Sequence, residues 1–233
     1  MRVYKFRRKE MLKTLLMSSA LLLSAATIAC NRASASAMAI PDPAVDETLR
    51  NTSAKQTIVL AGGCFWGVDA VFKHVKGVVD VRSGYAGGKG AVSYDEVSTG
   101  NTGYAESVQI TYDASKITYG KLLKVFFAVA HDPTEVNRQG PDTGTQYRSA
   151  IFYSTDEQKR IARAYIDQLN KAKVFRAPLA TELSALDTFH EAEAYHQNYL
   201  ATHRDEPYIV YNDLPKLENL RKEFPELYQN LEK

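Results

Sequence analysis

Cys64 is the residue in this sequence best placed to do chemistry. It lies in the stretch Gly-Cys-Phe-Trp-Gly at 63–67, directly after the apolar run 57–60 and directly before an amphipathic helical pattern. The order predicts a strand-to-helix turn with the thiol at the helix N-terminus, where unpaired N–H groups and the helix dipole favour the thiolate and lower its pKa. The flanking glycines let another molecule approach, and Phe65 and Trp66 supply an apolar wall. We expect an exposed, activated nucleophile.

The competing interpretation of Cys64 is a small buried hydrophobe, which is the commoner role of an unpaired cysteine. The flanking glycines, the helix start and the adjacent Trp66, the only tryptophan in the chain, favour the reactive role. A helix over 64–76 would anchor the turn to a core through an apolar stripe that runs from Phe65 to Val75, with Gly77 as its C-cap.

Glu106 is a candidate general acid. The segment 106–112 alternates, and Val108, Ile110 and Tyr112 share one strand face with Glu106. The carboxyl then points to the apolar side at the end of the strand, where lost hydration raises its pKa and lets it hold a proton near neutral pH. The pattern fits equally well a glutamate that turns outward at the strand end.

Tyr147 lies at the start of a third predicted strand, 146–153, after the polar loop 138–145. Loop-to-strand junctions often present functional side chains, but a tyrosine there is more often a packing residue. Its position alone assigns it no role.

The histidines do not form a metal motif. His190 and Glu191 are followed by His196, so the spacing His-Glu-x-x-His fails because Ala194 stands at the second ligand position. We predict packing or hydrogen-bonding roles for these histidines, and no metal site.

The predicted elements indicate a mixed α and β fold. Helices are expected over 119–130 and 155–172, the second with Ser154 and Glu157 in capping-box spacing, and they alternate with the three predicted strands. This alternation allows α/β or α+β layering. In either class the helices would cover a mixed sheet.

The first 39 residues have the pattern of an export leader. Basic residues precede an apolar run over 15–29, which is too short to span a bilayer, and small residues follow up to Ala39. Cleavage after Ala39 competes with a lipoprotein route in which Cys30 is lipidated. We expect export to a bacterial periplasm, a flexible lead-in over 40–55, and a single catalytic domain over 56–233 that ends in a helical tail.

The basic charge of the chain belongs to the leader. Residues 1–39 hold seven of the 29 basic side chains and one of the 27 acidic ones, which leaves 22 basic against 26 acidic and a formal net charge of −4. A nucleic-acid partner is therefore not expected. After cleavage at Ala39 the mature chain keeps only Cys64, so no intramolecular disulfide can form. A lone thiol in an oxidising compartment indicates a redox task and an external reducing partner.

The chain resembles the A-type peptide methionine sulfoxide reductases. The resemblance starts at Gly63-Cys64-Phe65-Trp66-Gly67 and covers about residues 57–210 in order. Its further segments are Ser-Gly-Tyr-Ala-Gly-Gly at 83–88, Tyr-Asp-Glu-Val at 94–97, Gly-Asn-Thr-Gly-Tyr-Ala-Glu at 100–106, His-Asp-Pro-Thr at 131–134, Gly-Thr-Gln-Tyr-Arg-Ser at 144–149 and Ala-Glu-Ala-Tyr-His-Gln at 192–197.

The resemblance implies a role for seven residues. Cys64 would be the nucleophile and Glu106 the acid, with Tyr94 and Tyr147 hydrogen-bonding the sulfoxide oxygen. The substrate-binding residues would be Phe65 and Trp66, which hold the substrate methyl group, and Asp142, which helps order the pocket. It implies the S epimer of methionine sulfoxide as substrate, free or in proteins, and a sulfenic acid on Cys64. With this resemblance we predict an α+β fold: a two-layer α/β sandwich with a ferredoxin-like core, a mixed sheet flanked by helices, and long loops.

The tail departs from the commonest family pattern, because the sequence has no resolving cysteine after Cys64. The chain therefore resembles a one-Cys variant without a bound cofactor, regenerated by a thioredoxin-like protein or a small-molecule thiol. We expect a monomer that contacts a membrane only if Cys30 is lipidated. A one-Cys thiol peroxidase and a non-catalytic secreted binding module are the alternatives.

Overall fold

The computed structural model describes residues 40–90 and 92–231, and its centre is a sheet of six strands. The strand order is β7-β6-β1-β3-β2-β8. All neighbours are antiparallel except β6 and β7, so the sheet is mixed as predicted. A separate two-stranded hairpin pairs β4 with β5. The strands are β1 (Lys55–Gly62), β2 (Val78–Ala86), β3 (Ala105–Asp113), β4 (Arg138–Gln139), β5 (Asp142–Thr143), β6 (Ser149–Tyr153), β7 (Glu182–Ala185) and β8 (Phe189–Glu191).

Within the described ranges, six α-helices connect or follow these strands. They are α1 (Phe65–Lys73), α2 (Tyr94–Ser98), α3 (Tyr119–Val125), α4 (Asp156–Ala172), α5 (Tyr199–Thr202) and α6 (Leu214–Glu223). Two π-helices adjoin them: Phe126–Ala130 continues α3, and Ile209–Asp213 precedes α6. Short 3-10 turns lie at Thr145–Tyr147 and Ala194–His196. The predicted α+β class agrees with this arrangement.

Several predicted boundaries were wrong, for local reasons. The first helix ends at Lys73 rather than 76, because Gly77 adopts φ +94° and Val75 pairs with Tyr228 in an isolated bridge. The third strand begins at Ser149 rather than 146, because the N–H groups of residues 147 and 148 close a 3-10 turn. Thr155, not Ser154, caps α4 by accepting a hydrogen bond from the Gln158 N–H.

The main core lies on one face of the sheet. Ile58, Leu60, Val108 and Ile110 point to that face and pack in a single cluster with apolar residues from α1, α3, α4 and α6. The alternate residues of β1, Val59 and Ala61, join a smaller cluster on the opposite face. Because strand side chains alternate, this division fixes which face Glu106 shares with Val108.

Residues 40–55 do not form the predicted flexible lead-in. Although they contain almost no regular secondary structure, Asp46 accepts the Gly120 N–H at 2.7 Å and Glu47 accepts the Tyr119 N–H at 2.7 Å, at the start of α3. The Pro41 carbonyl accepts the Tyr165 hydroxyl at 2.7 Å. Carboxylates at a helix N-terminus satisfy unpaired N–H groups, which a search for periodicity does not detect.

The predicted leader over 1–39, with its two maturation sites, lies outside the described residues. Within the described ranges, none of the helices combines the length and apolar character that a membrane span requires.

Candidate active site

The turn between β1 and α1 carries Cys64, as the sequence predicts. Cys64 is the N-cap residue of α1, and Gly63 before it has φ +86°, a conformation that favours glycine. A side chain at Gly63 would also meet the Gln139 side chain at 2.5 Å. The thiol is only 7% exposed, so the expectation of an exposed nucleophile was wrong.

Burial also reverses the expected shift of the thiol pKa. The Cys64 pKa is raised well above its usual range, first by desolvation and then by the charges of Glu106 and Asp213. The Trp66 N–H hydrogen-bonds the sulfur and acts in the opposite direction, as expected at a helix N-terminus. Its effect is smaller than the desolvation penalty, so the resting protein holds a neutral thiol.

Glu106 lies directly beside this thiol. Its side chain points inward from the start of β3, as predicted, and only 3% of it is exposed. Oε2 accepts the Phe65 N–H at 3.0 Å, and Cys64 also hydrogen-bonds the carboxyl. Desolvation raises the pKa of Glu106 to about 8, despite the two hydrogen bonds that favour the charged form. The carboxyl is therefore protonated near pH 7, as the sequence argument expects of a general acid.

Two phenols face the same centre from different elements. Tyr94 is the first residue of α2 and Tyr147 the last of a 3-10 turn, and both are half-buried. Desolvation, followed by the charge of Glu106, raises the pKa of both phenols, and Cys64 adds to each effect. Both therefore stay protonated and can donate hydrogen bonds at neutral pH.

Aromatic rings form the wall beside the sulfur. Phe65 is fully buried, and its ring lies 6.4 Å from that of Trp66. Trp66 stacks on Tyr199 at 3.8 Å, and its indole N–H donates to His196 Nδ1 at 3.2 Å. His196 therefore packs against the wall, in agreement with the packing role predicted for it.

Asp142 joins the site through a residue that the sequence argument missed. The Tyr208 hydroxyl donates a hydrogen bond to Asp142 Oδ2, and the Tyr208 ring meets Trp66 edge-on at 5.9 Å. Burial raises the pKa of Asp142, and its charge in turn raises the pKa of Glu106. All seven predicted residues thus lie around one centre.

Glu193 is a second residue that the sequence argument did not select. Its carboxylate accepts the Tyr94 N–H at 2.9 Å and the Tyr85 hydroxyl at 3.0 Å, and so holds the N-terminus of α2. Neither Glu193 nor Tyr208 belongs to a periodic pattern that would reveal its target. The sequence feature that could have indicated them is the set of tyrosines at 195, 199 and 208, because several aromatic residues close together in the tail are consistent with an aromatic site.

The side chains that the structure brings together at this site carry acid and thiol groups. In the part of the chain that the structure describes, no group of three or more histidine, cysteine or acidic side chains is arranged to hold a metal ion. The chemical content is a neutral thiol, a neutral carboxyl and two phenols beside an apolar wall. This set can attack a polar sulfur centre while protonating the atom bound to it.

Comparison with known proteins identifies the family. A family model described as peptide methionine sulfoxide reductase matches residues 56–228. The chain belongs to the peptide methionine sulfoxide reductase family. A Mesorhizobium japonicum member, MsrA 2, is 59% identical over 174 residues, which cover 74% of this chain and 89% of that protein. An MsrA 2 of Synechocystis is 51% identical over 188 residues, 79% of this chain and 88% of its own.

Solved structures agree with the family assignment. The crystal structure of Mxr1 from Saccharomyces cerevisiae in reduced form superposes with a TM-score of 0.60 at 34% identity, and covers 68% of this chain and 94% of its own. Methionine sulfoxide reductase A of Corynebacterium diphtheriae gives a TM-score of 0.56 at 37% identity, and the match covers 70% of this chain and 82% of that chain. The chain is thus an A-type peptide-methionine (S)-S-oxide reductase, as the resemblance predicts.

Proposed function

We propose that the protein reduces methionine S-sulfoxide, free or in proteins, by direct attack of Cys64 on the sulfoxide sulfur. The observation that carries this proposal is the contact between the Cys64 thiol and the buried carboxyl of Glu106, whose pKa is raised to about 8. The resting site therefore holds two protons, one on the Cys64 thiol and one on the Glu106 carboxyl, and both are transferred in the proposed reaction.

Substrate binding would place the sulfoxide oxygen among proton donors. Tyr94 and Tyr147 each interact electrostatically with Glu106 and Cys64, and a sulfoxide sulfur becomes a good electrophile only when its oxygen is protonated or hydrogen-bonded. The methyl group would lie against Phe65 and Trp66, since this is the apolar side of the centre. The opposite epimer would exchange the methyl group and the oxygen, and so would place the oxygen against the rings.

The chemical step balances within these residues. Glu106 gives its proton to the sulfoxide oxygen, and the Cys64 sulfur attacks the substrate sulfur as its own proton passes to the carboxylate that has just formed. The hydroxyl group then moves from the substrate sulfur to the Cys64 sulfur: the substrate sulfur–oxygen bond and the transient bond between the two sulfurs break, and a Cys64 sulfur–oxygen bond forms. Methionine leaves, and Cys64 carries the oxygen as sulfenic acid. Substrate sulfur is reduced by two electrons and Cys64 is oxidised by two.

Cleavage at Ala39 would leave Cys64 as the one cysteine of the sequence, so regeneration of the mature protein would require a thiol from outside the chain. A first thiol attacks the sulfenic acid to form a mixed disulfide and water, and a second thiol releases Cys64. A thioredoxin-like protein or a small-molecule thiol fits this chemistry. No other cofactor is needed for the proposed cycle.

The decisive experiment is a single turnover without reductant. The reduced protein is mixed with excess methionine S-sulfoxide, and released methionine is counted. We expect one equivalent per chain, no further release until thiol is added, and none from Cys64→Ser. Consumption of hydrogen peroxide without methionine release would instead identify a thiol peroxidase. Sulfoxide binding that survives Cys64→Ser, with no release by the parent protein, would identify a binding module.

We further propose that the protein is exported to the periplasm and repairs oxidised exported proteins as a monomer. The basic, apolar and small-residue order of residues 1–39 supports export. Mass spectrometry of the mature N-terminus would distinguish a chain that begins at Ile40 from one lipidated at Cys30. Sedimentation of the mature protein would test the monomer.

We also propose that the core is ferredoxin-like. The elements β1, α1, β2, β3, α3 and β6 follow one another in the order β-α-β-β-α-β, and the four strands are neighbours in the sequence β6-β1-β3-β2. The edge strands β7 and β8 would be additions to this core.

A further inference from the structure

Asp213 and Lys216 form a buried ion pair that the proposed chemistry does not use. Asp213 ends the π-helix Ile209–Asp213 and is fully buried, while Lys216 is 16% exposed. Asp213 Oδ1 lies 3.0 Å from Lys216 Nζ, and its second oxygen, Oδ2, is buried without a hydrogen-bond partner. A buried carboxylate with one unsatisfied oxygen costs stability, so its position calls for a reason.

The pair packs directly on the catalytic turn, against Gly67. A methyl group built at Gly67 would overlap Asp213 Oδ1 and lie 2.7 Å from Lys216 Nζ. Gly67 is the third residue of α1, and the first turn of this helix has no acidic residue of its own. Gly67 thus makes room for the protein's own ion pair, not for an incoming molecule as its sequence position suggested.

We propose that Asp213 and Lys216 are a positioning pair for the catalytic turn: they hold the first turn of α1 against the C-terminal segment and set the charge balance behind the Cys64 sulfur. The proposal deepens the proposed function and rests on it for the role of Cys64. Two N–H groups of this turn make catalytic contacts, since that of Phe65 binds Glu106 and that of Trp66 binds the sulfur. A carboxylate beside a helix N-terminus stabilises such a turn.

The two members of the pair act on the thiol with opposite sign. The charge of Asp213 raises the pKa of Cys64, and that of Lys216 lowers it. Removal of the Asp213 charge alone should therefore favour the thiolate form of Cys64. Removal of the Lys216 charge alone should favour the neutral thiol. The other groups that face the sulfur stay constant in this comparison; they are Glu106 from β3, Tyr94 from α2, Tyr147 from its 3-10 turn, and Tyr199 and Tyr208 from the tail.

The test measures thiol ionisation without any sulfoxide. Iodoacetamide reacts with the thiolate, so its rate at pH 8 follows the ionised fraction. We expect about tenfold faster alkylation in Asp213→Asn and about tenfold slower alkylation in Lys216→Met, the size of a charge effect close to an ionising group. The double variant should return toward the parent rate. Glu218→Gln, which removes an exposed charge from the same helix, is the matched control and should equal the parent.

Rates that move in the same direction in both single variants, or that stay at the parent value in both, would overturn the proposal. If Asp213→Asn does not fold, the Lys216 variants provide the test by themselves. Lys216→Met must then be alkylated more slowly than the parent, and Lys216→Arg must be alkylated at the parent rate. Equal alkylation rates in these two variants would overturn the proposal. Alkylation needs no substrate, so a charge-dependent rate in a protein that releases no methionine would refute the proposed function and leave the pair's role intact.

Discussion

Replacement of Glu106 by glutamine is the sharpest test of the proposed acid. Glutamine keeps the size of the side chain and an oxygen that can accept the Phe65 N–H, which the carboxyl now accepts at 3.0 Å. It lacks the acidic proton. Because the pKa of Glu106 is about 8, about nine-tenths of the parent molecules carry that proton at pH 7. The variant loses a donor that is present in almost every resting molecule.

We expect Glu106→Gln to slow the first turnover by roughly two to four orders of magnitude, which is about 3–5 kcal/mol in the barrier. The parent rate should be level below about pH 7 and fall above about pH 8, as the carboxyl loses its proton. Glutamine cannot titrate, so this fall should be absent in the variant. The pH at which the parent rate falls therefore reports the pKa of the Glu106 carboxyl, independently of the rate lost in the variant.

Rapid-quench measurement of methionine release, with methionine S-sulfoxide and no reductant, isolates this step from regeneration. Glu157→Gln is a suitable control, because Glu157 is exposed on α4 and pairs only with Arg160 in the described contacts. Equal first-turnover rates in Glu106→Gln and the parent would refute general-acid catalysis. A parent rate that did not fall above pH 8 would refute the role of its raised pKa.

Tyr94→Phe and Tyr147→Phe should each slow the first turnover by about tenfold, since each removes one donor to the oxygen; unchanged rates in rapid-quench assays would exclude that contact. The raised pKa of Glu106 means that the folded protein binds a proton more tightly than the unfolded chain, so its contribution to stability falls as pH rises from about 4.5 to about 8. Denaturant titrations should show Glu106→Gln gaining stability relative to the parent over this range. Gly67→Ala should lower the free energy of unfolding by about 1–3 kcal/mol through overlap with the ion pair. Asp46→Ala should cost about 1–3 kcal/mol by leaving the Gly120 N–H unpaired, measured the same way.

Local sequence patterns predicted the parts of the site that depend on local order. The apolar run before Cys64 and the stripe after it place the thiol at a helix N-terminus, and period-two alternation places Glu106 on the inner face of its strand. The roles of Tyr94, Tyr147 and Asp142 came only through the family resemblance. Their elements are a five-residue helix, a single 3-10 turn and a two-residue strand, which are too short to show periodicity.

The features that the sequence argument missed all depend on distant contacts. Helix position argues for a low thiol pKa, but it does not show that the side chains around Cys64 leave it only 7% exposed. Tyr208 reaches Asp142 across 66 positions, and Asp46 reaches Gly120 across 74. Such contacts form only when segments that are distant in the sequence pack against each other, so the spacing of nearby residues cannot identify them.

The stacking of Trp66 on Tyr199 gives this reductase a built-in optical reporter. No second indole in the sequence contributes to the emission, and this one lies in the proposed substrate-binding wall beside Cys64, with its N–H bound to a histidine. If substrate binds in this proposed site, its arrival changes the polarity around that ring directly. Fluorescence could therefore follow ligand arrival in unlabelled protein, including in Cys64→Ser, where no product forms.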